Sequence, residues 1–283
     1  MQVKNVTVLG AGVMGTSITQ VVANSGFNVA LWSKRGEKSL DVLREKLQKA
    51  ISKKILTEQQ VDYTLSKIRC TSLLSEAVKE VDFVIESVRE DLAVKRALFK
   101  ELDSYCSQSA ILASNTSALS IYKISEVTMK PDRVIGLHFF NPAPKMKLVE
   151  VAPSSLTSQD TIDLTIDFSK KLGKVPLIVR DTPGFVVNRC LMPMINEAAF
   201  LFMNKIASAE TIDSAIKLGA NHPLGPLALA DLVGVDICLE TMQEIKNDLG
   251  KSDYQICPLL KSMVAEGKLG RKTGKGFFTY NTN

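Results

Sequence analysis

The stretch Val6-Thr7-Val8-Leu9-Gly10-Ala11-Gly12-Val13-Met14-Gly15 sets three glycines in a G-x-G-x-x-G spacing, between a short β-branched apolar run and an apolar helical segment. In that context each glycine has a task. Gly10 permits a tight turn, Gly12 lets backbone approach a pyrophosphate, and Gly15 allows the helix to pack closely. The helix that opens here points unpaired N–H groups and partial positive charge toward an anion. A dinucleotide is the expected ligand, with Gly10, Gly12, Met14 and Gly15 against it. A tight turn without a ligand is the plain alternative.

Working outward, nearly continuous apolar runs recur at residues 29–32, 81–85, 111–113 and 134–137. Such runs suit strands buried on both faces of a parallel sheet. Helix-compatible stretches at 17–24, 36–52 and 92–102 separate them, giving the βαβ alternation of a doubly wound domain. After Asp181-Thr182-Pro183-Gly184 the character changes to helical-length segments at 186–203, 209–218, 227–249 and 258–267. The expected fold is α/β: a Rossmann-type, mostly parallel sheet domain over residues 1–182, followed by a smaller all-helical domain over 183–283.

The 283 residues, 45% apolar and 23% charged, suffice for two unequal domains. A net charge of +5 without long like-charge runs gives no support for an extended nucleic-acid surface. Cys70, Cys106, Cys190, Cys238 and Cys257 form no C-x-x-C pair and lie near no histidine in metal-ligand spacing, so they read as reduced thiols of a cytoplasmic protein without a metal. No apolar stretch reaches the roughly 18 residues of a membrane span.

The residue that ends the second strand selects between NAD and NADP, because an acid there accepts from the ribose 2′-hydroxyl whereas a 2′-phosphate wants positive charge. The strand over 28–32 runs into Ser33-Lys34-Arg35, with no carboxylate. A hydroxyl and two cations read as a preference for NADP over NAD; solvated surface charges are the alternative.

His138, one of two histidines, ends a strand just before Phe139-Phe140-Asn141-Pro142-Ala143-Pro144, and the chain returns as Lys147-Leu148-Val149-Glu150-Val151. Strand C-termini of such sheets are where ligands sit. A hairpin centred on Pro144 sets His138 directly opposite Glu150, with Cβ atoms about 5 Å apart. A carboxylate on one ring nitrogen fixes the tautomer and stabilises the imidazolium formed when the other nitrogen takes a proton. Alcohol oxidation needs such a base; a structural ion pair is the bland reading. Ser114-Asn115-Thr116-Ser117 also follows a strand and, taken alone, reads as a helix-capping turn.

Together, Leu9 to Gly15, Ser114 to Ser117, Gly136 to Pro144, Pro183-Gly184-Phe185-Val186-Val187-Asn188-Arg189, Gly219-Ala220-Asn221-His222-Pro223-Leu224-Gly225-Pro226 and Gly270-Arg271-Lys272-Thr273-Gly274-Lys275-Gly276-Phe277 closely resemble the 3-hydroxyacyl-CoA dehydrogenase family, in order over essentially the whole chain. The resemblance implies oxidation of a short (S)-3-hydroxyacyl-CoA, such as 3-hydroxybutyryl-CoA, or reduction of its 3-keto partner acetoacetyl-CoA, with a nicotinamide cofactor. It implies that His138 is the base, Glu150 its orienting carboxylate, and Ser117 and Asn188 the groups that bind the reacting oxygen and acyl portion. It places Glu90, Lys95, Asn115, Asn141 and Lys272 at the cofactor, and makes Lys46, Lys49, Lys53 and Lys54, with Ser117, candidates for CoA. Ser33 departs from the aspartate of NAD-using relatives. A homodimer through the helical domain, which would also close the substrate site, is the further expectation. The rival readings are a crystallin-like, non-catalytic cofactor binder and a dehydrogenase of a free hydroxy acid. Tyr63-Thr64-Leu65-Ser66-Lys67 has the Tyr-x-x-x-Lys spacing of short-chain dehydrogenases, but it comes too early and without their glycine pattern.

Overall fold

The computed structural model describes residues 2–250 and 254–280, and the chain divides into two compact units, Met1–Asp181 and Thr182–Asn283. In the first, β1 (Asn5–Leu9), α1 (Val13–Asn24), β2 (Asn28–Trp32), α2 (Lys38–Ser52), α3 (Glu58–Ser66), β3 (Ile68–Thr71), α4 (Leu74–Ala77), β4 (Phe83–Glu86), α5 (Leu92–Tyr105), β5 (Ile111–Ser114), α6 (Ile121–Ser125), β6 (Val134–Phe139), β7 (Leu148–Pro153), α7 (Gln159–Lys171) and β8 (Val175–Ile178) follow in order. The eight strands form one sheet in the order β3-β2-β1-β4-β5-β6-β7-β8. Every neighbouring pair is parallel except β6 with β7. Strand order reverses between β1 and β4, and ligands of such sheets bind in the crevice that opens there.

The continuous apolar runs are the central strands: β4, β5 and β6 are buried at every position. Sequence reading passed over β3 and β8. Both are sheet-edge strands of four residues; β8, Val-Pro-Leu-Ile, leaves Val175, Leu177 and Ile178 exposed. An edge strand interrupted by proline carries little periodic signal. Asp91 caps α5 by accepting from the Val94 amide, and Thr57 with Gln60 closes a capping box on α3. Phe168 of α7 stacks on Phe83 and meets Phe27 edge-on, fixing that helix against the sheet.

The second unit holds α8 (Val187–Met203), α9 (Ala209–Gly219), α10 (Pro226–Val233), α11 (Val235–Leu249) and α12 (Pro258–Ala265). The segment expected as one helix over 227–249 is two, because Gly234 takes a φ of 110° that breaks the helix. A Cβ there would fall 2.9 Å from Asp236 Oδ1. The tail after α12 is clasped by Asp231, fully buried, whose carboxylate accepts from the amides of Phe277 and Phe278 and the hydroxyl of Tyr280. A Cβ on Gly276 would lie 1.9 Å from Asp231 Oδ1, so that glycine is a packing requirement of the clasp.

Candidate active site

The turn from β1 to α1 follows from its glycines. Gly10 has a φ of 102°, and a Cβ on it would meet Ser87 O at 2.4 Å; on Gly15 it would meet Gly10 O at 1.8 Å. At Gly12, the N-cap of α1, a Cβ would meet nothing within 4 Å. Two glycines are thus demanded by packing, whereas the third faces open space at the helix N-terminus. This cleft, about 860 Å³, is lined by Gly10, Ala11, Gly12, Ser33, Lys34, Arg35, Ser87, Val88 and Arg89 among others. Its backbone donors and the space over Gly12 fit a dinucleotide pyrophosphate. Met14 lies in the first turn of α1, packed against the sheet core.

Lys34 and Arg35 are exposed on the rim. The Ser33 hydroxyl is committed within the turn instead, 2.5 Å from Ser39 Oγ and accepting from the Arg35 amide. Lys34 and Arg35 are the charges that the turn presents on the cleft rim. Arg89, on the same cleft and paired with Asp91 at 2.9 Å, was not singled out by its sequence context.

A buried charge cluster lies beside the glycine turn. Glu86 ends β4 alongside Leu9 of β1, fully buried, and its carboxylate accepts from Lys95 Nζ at 2.7 and 2.9 Å, Ser114 Oγ at 2.6 Å and the Val88 amide at 2.7 Å. Burial alone would lower the Lys95 pKa, but the Glu86 and Glu90 carboxylates outweigh it and hold the ammonium above its usual value. Glu90, 3.2 Å from Lys95, accepts from Thr116 Oγ1 and the Ser117 amide. Lys95 thus anchors Glu90, and Glu90 holds the loop that carries Ser117. Asn115 accepts from the Phe139 amide at 2.8 Å, tying this loop to the strand of His138.

The β6–β7 register pairs His138 with Glu150, as the hairpin expectation has it. Nδ1 of His138 lies 2.8 Å from Glu150 Oε2, with both residues buried. An ionised carboxylate at Nδ1 keeps the proton there and so fixes the ring tautomer. The Phe140 ring lies 4.5 Å from the imidazole. Asn141, joined to Pro142 by a cis peptide bond, stands exposed in the loop that follows. Lys174, buried just before β8, donates from Nζ to Ala143 O at 2.5 Å and Met146 O at 2.9 Å in that same loop. Because its partners are backbone carbonyls, no sequence spacing betrays it.

Lys49 on α2, and Lys53 and Lys54 after it, are exposed, whereas Lys46 donates to Ser17 of α1 at 2.8 Å. Asn188 and Lys272 belong to the second unit: Asn188 in the first turn of α8, after the positive-φ pair Gly184 and Phe185, and Lys272 bound by both Asp236 oxygens at 2.6 Å. Tyr63 lies in α3 and Lys67 immediately precedes β3, at the end of the strands opposite the glycine turn.

The sequence matches the family described as 3-hydroxyacyl-CoA dehydrogenase, NAD binding domain, over residues 5–182, and 3-hydroxyacyl-CoA dehydrogenase, C-terminal domain, over 184–280. It is 46% identical over 277 residues to a 3-hydroxybutyryl-CoA dehydrogenase of Clostridioides difficile, covering 97% of this chain and 98% of that one. It is 44% identical to a probable 3-hydroxybutyryl-CoA dehydrogenase of Bacillus subtilis, covering 99% and 98%. The crystal structure of an (S)-3-hydroxybutyryl-CoA dehydrogenase from Ralstonia eutropha superposes with a TM-score of 0.92 at 41% identity, covering 99% of this chain and all of that one.

Proposed function

The chain belongs to the 3-hydroxyacyl-CoA dehydrogenase family, and from that premise we propose that it is a 3-hydroxybutyryl-CoA dehydrogenase, interconverting (S)-3-hydroxybutyryl-CoA and acetoacetyl-CoA. The observation that carries the reading is the buried His138–Glu150 pair at the C-terminal end of β6, on the sheet that also forms the glycine turn. The cleft at Gly10, Gly12 and Ser87 would hold a nicotinamide cofactor, which would supply hydride acceptance from C3, or donation to it in reverse. His138 Nε2 takes the proton from the C3 hydroxyl as the C–H bond breaks and returns it to the ketone oxygen in reverse. Glu150 holds the ring through Nδ1 and stabilises the imidazolium so formed. Ser117, set by the Glu90 contact to its amide, is proposed to hydrogen-bond the reacting oxygen, and Asn188 to bind the acyl portion. Exposed Lys49, Lys53 and Lys54 suit the phosphates of CoA.

NADP is proposed as the preferred cofactor. Supporting this are Lys34 and Arg35 on the cleft rim and the serine at position 33, where an acid would repel a 2′-phosphate. One charge-assisted bond of about 1.5–3 kcal/mol corresponds to a preference of roughly ten- to a hundred-fold. Absorbance at 340 nm with acetoacetyl-CoA and either NADPH or NADH tests both statements. The expected result is turnover with both and a higher kcat/KM with NADPH; a higher kcat/KM with NADH removes the preference, and no turnover with either removes the activity. A homodimer through the helical unit is likewise proposed, with sedimentation velocity as its measurement.

A further inference from the structure

The loop that joins β6 to β7 leaves one strand two residues after His138 and enters the other three residues before Glu150. Its own backbone closes it only through the amides of Lys145 and Met146, both donating to Pro142 O, and six of its residues, Asn141, Pro142, Pro144, Lys145, Met146 and Lys147, are exposed. Against this loop stands a buried cation: Lys174 places Nζ on the carbonyls of Ala143 and Met146, while the next residue's amide, that of Val175, donates to Lys147 O at 2.8 Å. Among the described residues no carboxylate lies within ion-pair distance of Lys174. Taking an ammonium out of water is unfavourable unless its protons are well accepted, and burial lowers the Lys174 pKa. Two carbonyls of one loop are what offset that penalty, so the contact constrains the loop strongly.

We propose that Lys174 is a positioning residue for the reaction, clipping the β6–β7 loop so that His138 and Glu150 stay in register at the mouth of their hairpin. The inference rests on the dyad reading above. Small displacements of a catalytic base are expensive in rate, since a shift of about 1 Å can lower it by roughly a hundredfold.

The test is a double-mutant cycle in turnover with acetoacetyl-CoA, using Lys174→Met, which keeps the aliphatic stem but removes every donor. In the wild-type background the expected result is a kcat about tenfold lower with the acyl-CoA KM within about twofold. In the His138→Gln background the same change should have almost no further effect, because the residue it positions is gone. Wild-type-like kcat in Lys174→Met, or an equal fold loss in both backgrounds, overturns the proposal, the second result being what a purely structural lysine gives. Should Lys174→Met not fold, Lys174→Leu, equally without a donor, goes through the same cycle and the same results decide. A His138→Gln enzyme as fast as wild type would sink the dyad reading itself, whereas a slow one with additive Lys174 losses overturns only the clip.

Discussion

The carboxylate of Glu150, almost fully buried and 2.8 Å from His138 Nδ1, is proposed as an orienting group that does not touch the nucleotide. Glu150→Gln should therefore lower kcat by about a hundredfold while leaving the cofactor dissociation constant, read by quenching of NADPH fluorescence, nearly unchanged. Adding it to His138→Gln should cost little more, and simple multiplication of the two losses would argue against a dyad. This pair was legible from the chain because a proline-centred hairpin makes register a matter of counting, and the antiparallel β6–β7 pairing obeys that count. Glu86 and Lys174 were not legible. Glu86 merely ends an apolar run, and its role comes from Lys95, Ser114 and the Val88 amide converging on it in space. Lys174 is partnered by carbonyls that every residue carries. The contact of Ser33 with Ser39, six residues on, was not legible either, since hydroxyls carry no pairing signal in sequence.

Among the elements, the β1-turn-α1 unit separates glycines needed for packing from one proposed to admit the cofactor. Gly12→Ala places a methyl group where nothing lies within 4 Å, so the unfolding temperature should hold while cofactor binding weakens about tenfold or more, roughly 1.4 kcal/mol, because the pyrophosphate can no longer approach. Gly15→Ala drives a methyl group to 1.8 Å from Gly10 O and should lower both, with a stability loss of about 1–3 kcal/mol in urea unfolding. Equal stability losses in the two variants would contradict this division of labour. The glycine spacing, with the strand before it and the helix after, made the unit readable as a whole. The helices of the second unit were readable in extent but not in their break: Gly234 sits in a run of apolar and helix-compatible residues, and only its left-handed backbone, close against Asp236 and Lys272, parts α10 from α11. Strands β3 and β8 escaped because four-residue edge strands lack a periodicity long enough to count.

Over the whole molecule, the five cysteines report on packing in both units. All are free, and burial pushes the thiols of Cys70 and Cys106 up to about 11, that of Cys238 up to about 12, and that of Cys257 upward as well. A raised thiol pKa means a negligible thiolate fraction at neutral pH, and the thiolate is the reactive form. Cys190, on α8, is exposed. Native protein at about pH 8 should therefore take up at most one iodoacetamide label rapidly, at Cys190, and all five cysteines should react in denaturant; rapid labelling of Cys106 or Cys238 by mass spectrometry would contradict the packing. The two-part organisation was visible in the change from strand-rich to helical segments around Pro183, whereas the tail clasp on Asp231 was not, because its donors lie 46 to 49 residues away in sequence. The most direct measurement is the turnover of purified His138→Gln with acetoacetyl-CoA, at a cofactor concentration saturating for both proteins. With the unfolding temperature and cofactor affinity of the wild type retained, kcat should fall by about a hundredfold or more; a folded variant that turns over at close to the wild-type rate would remove His138 from the chemistry.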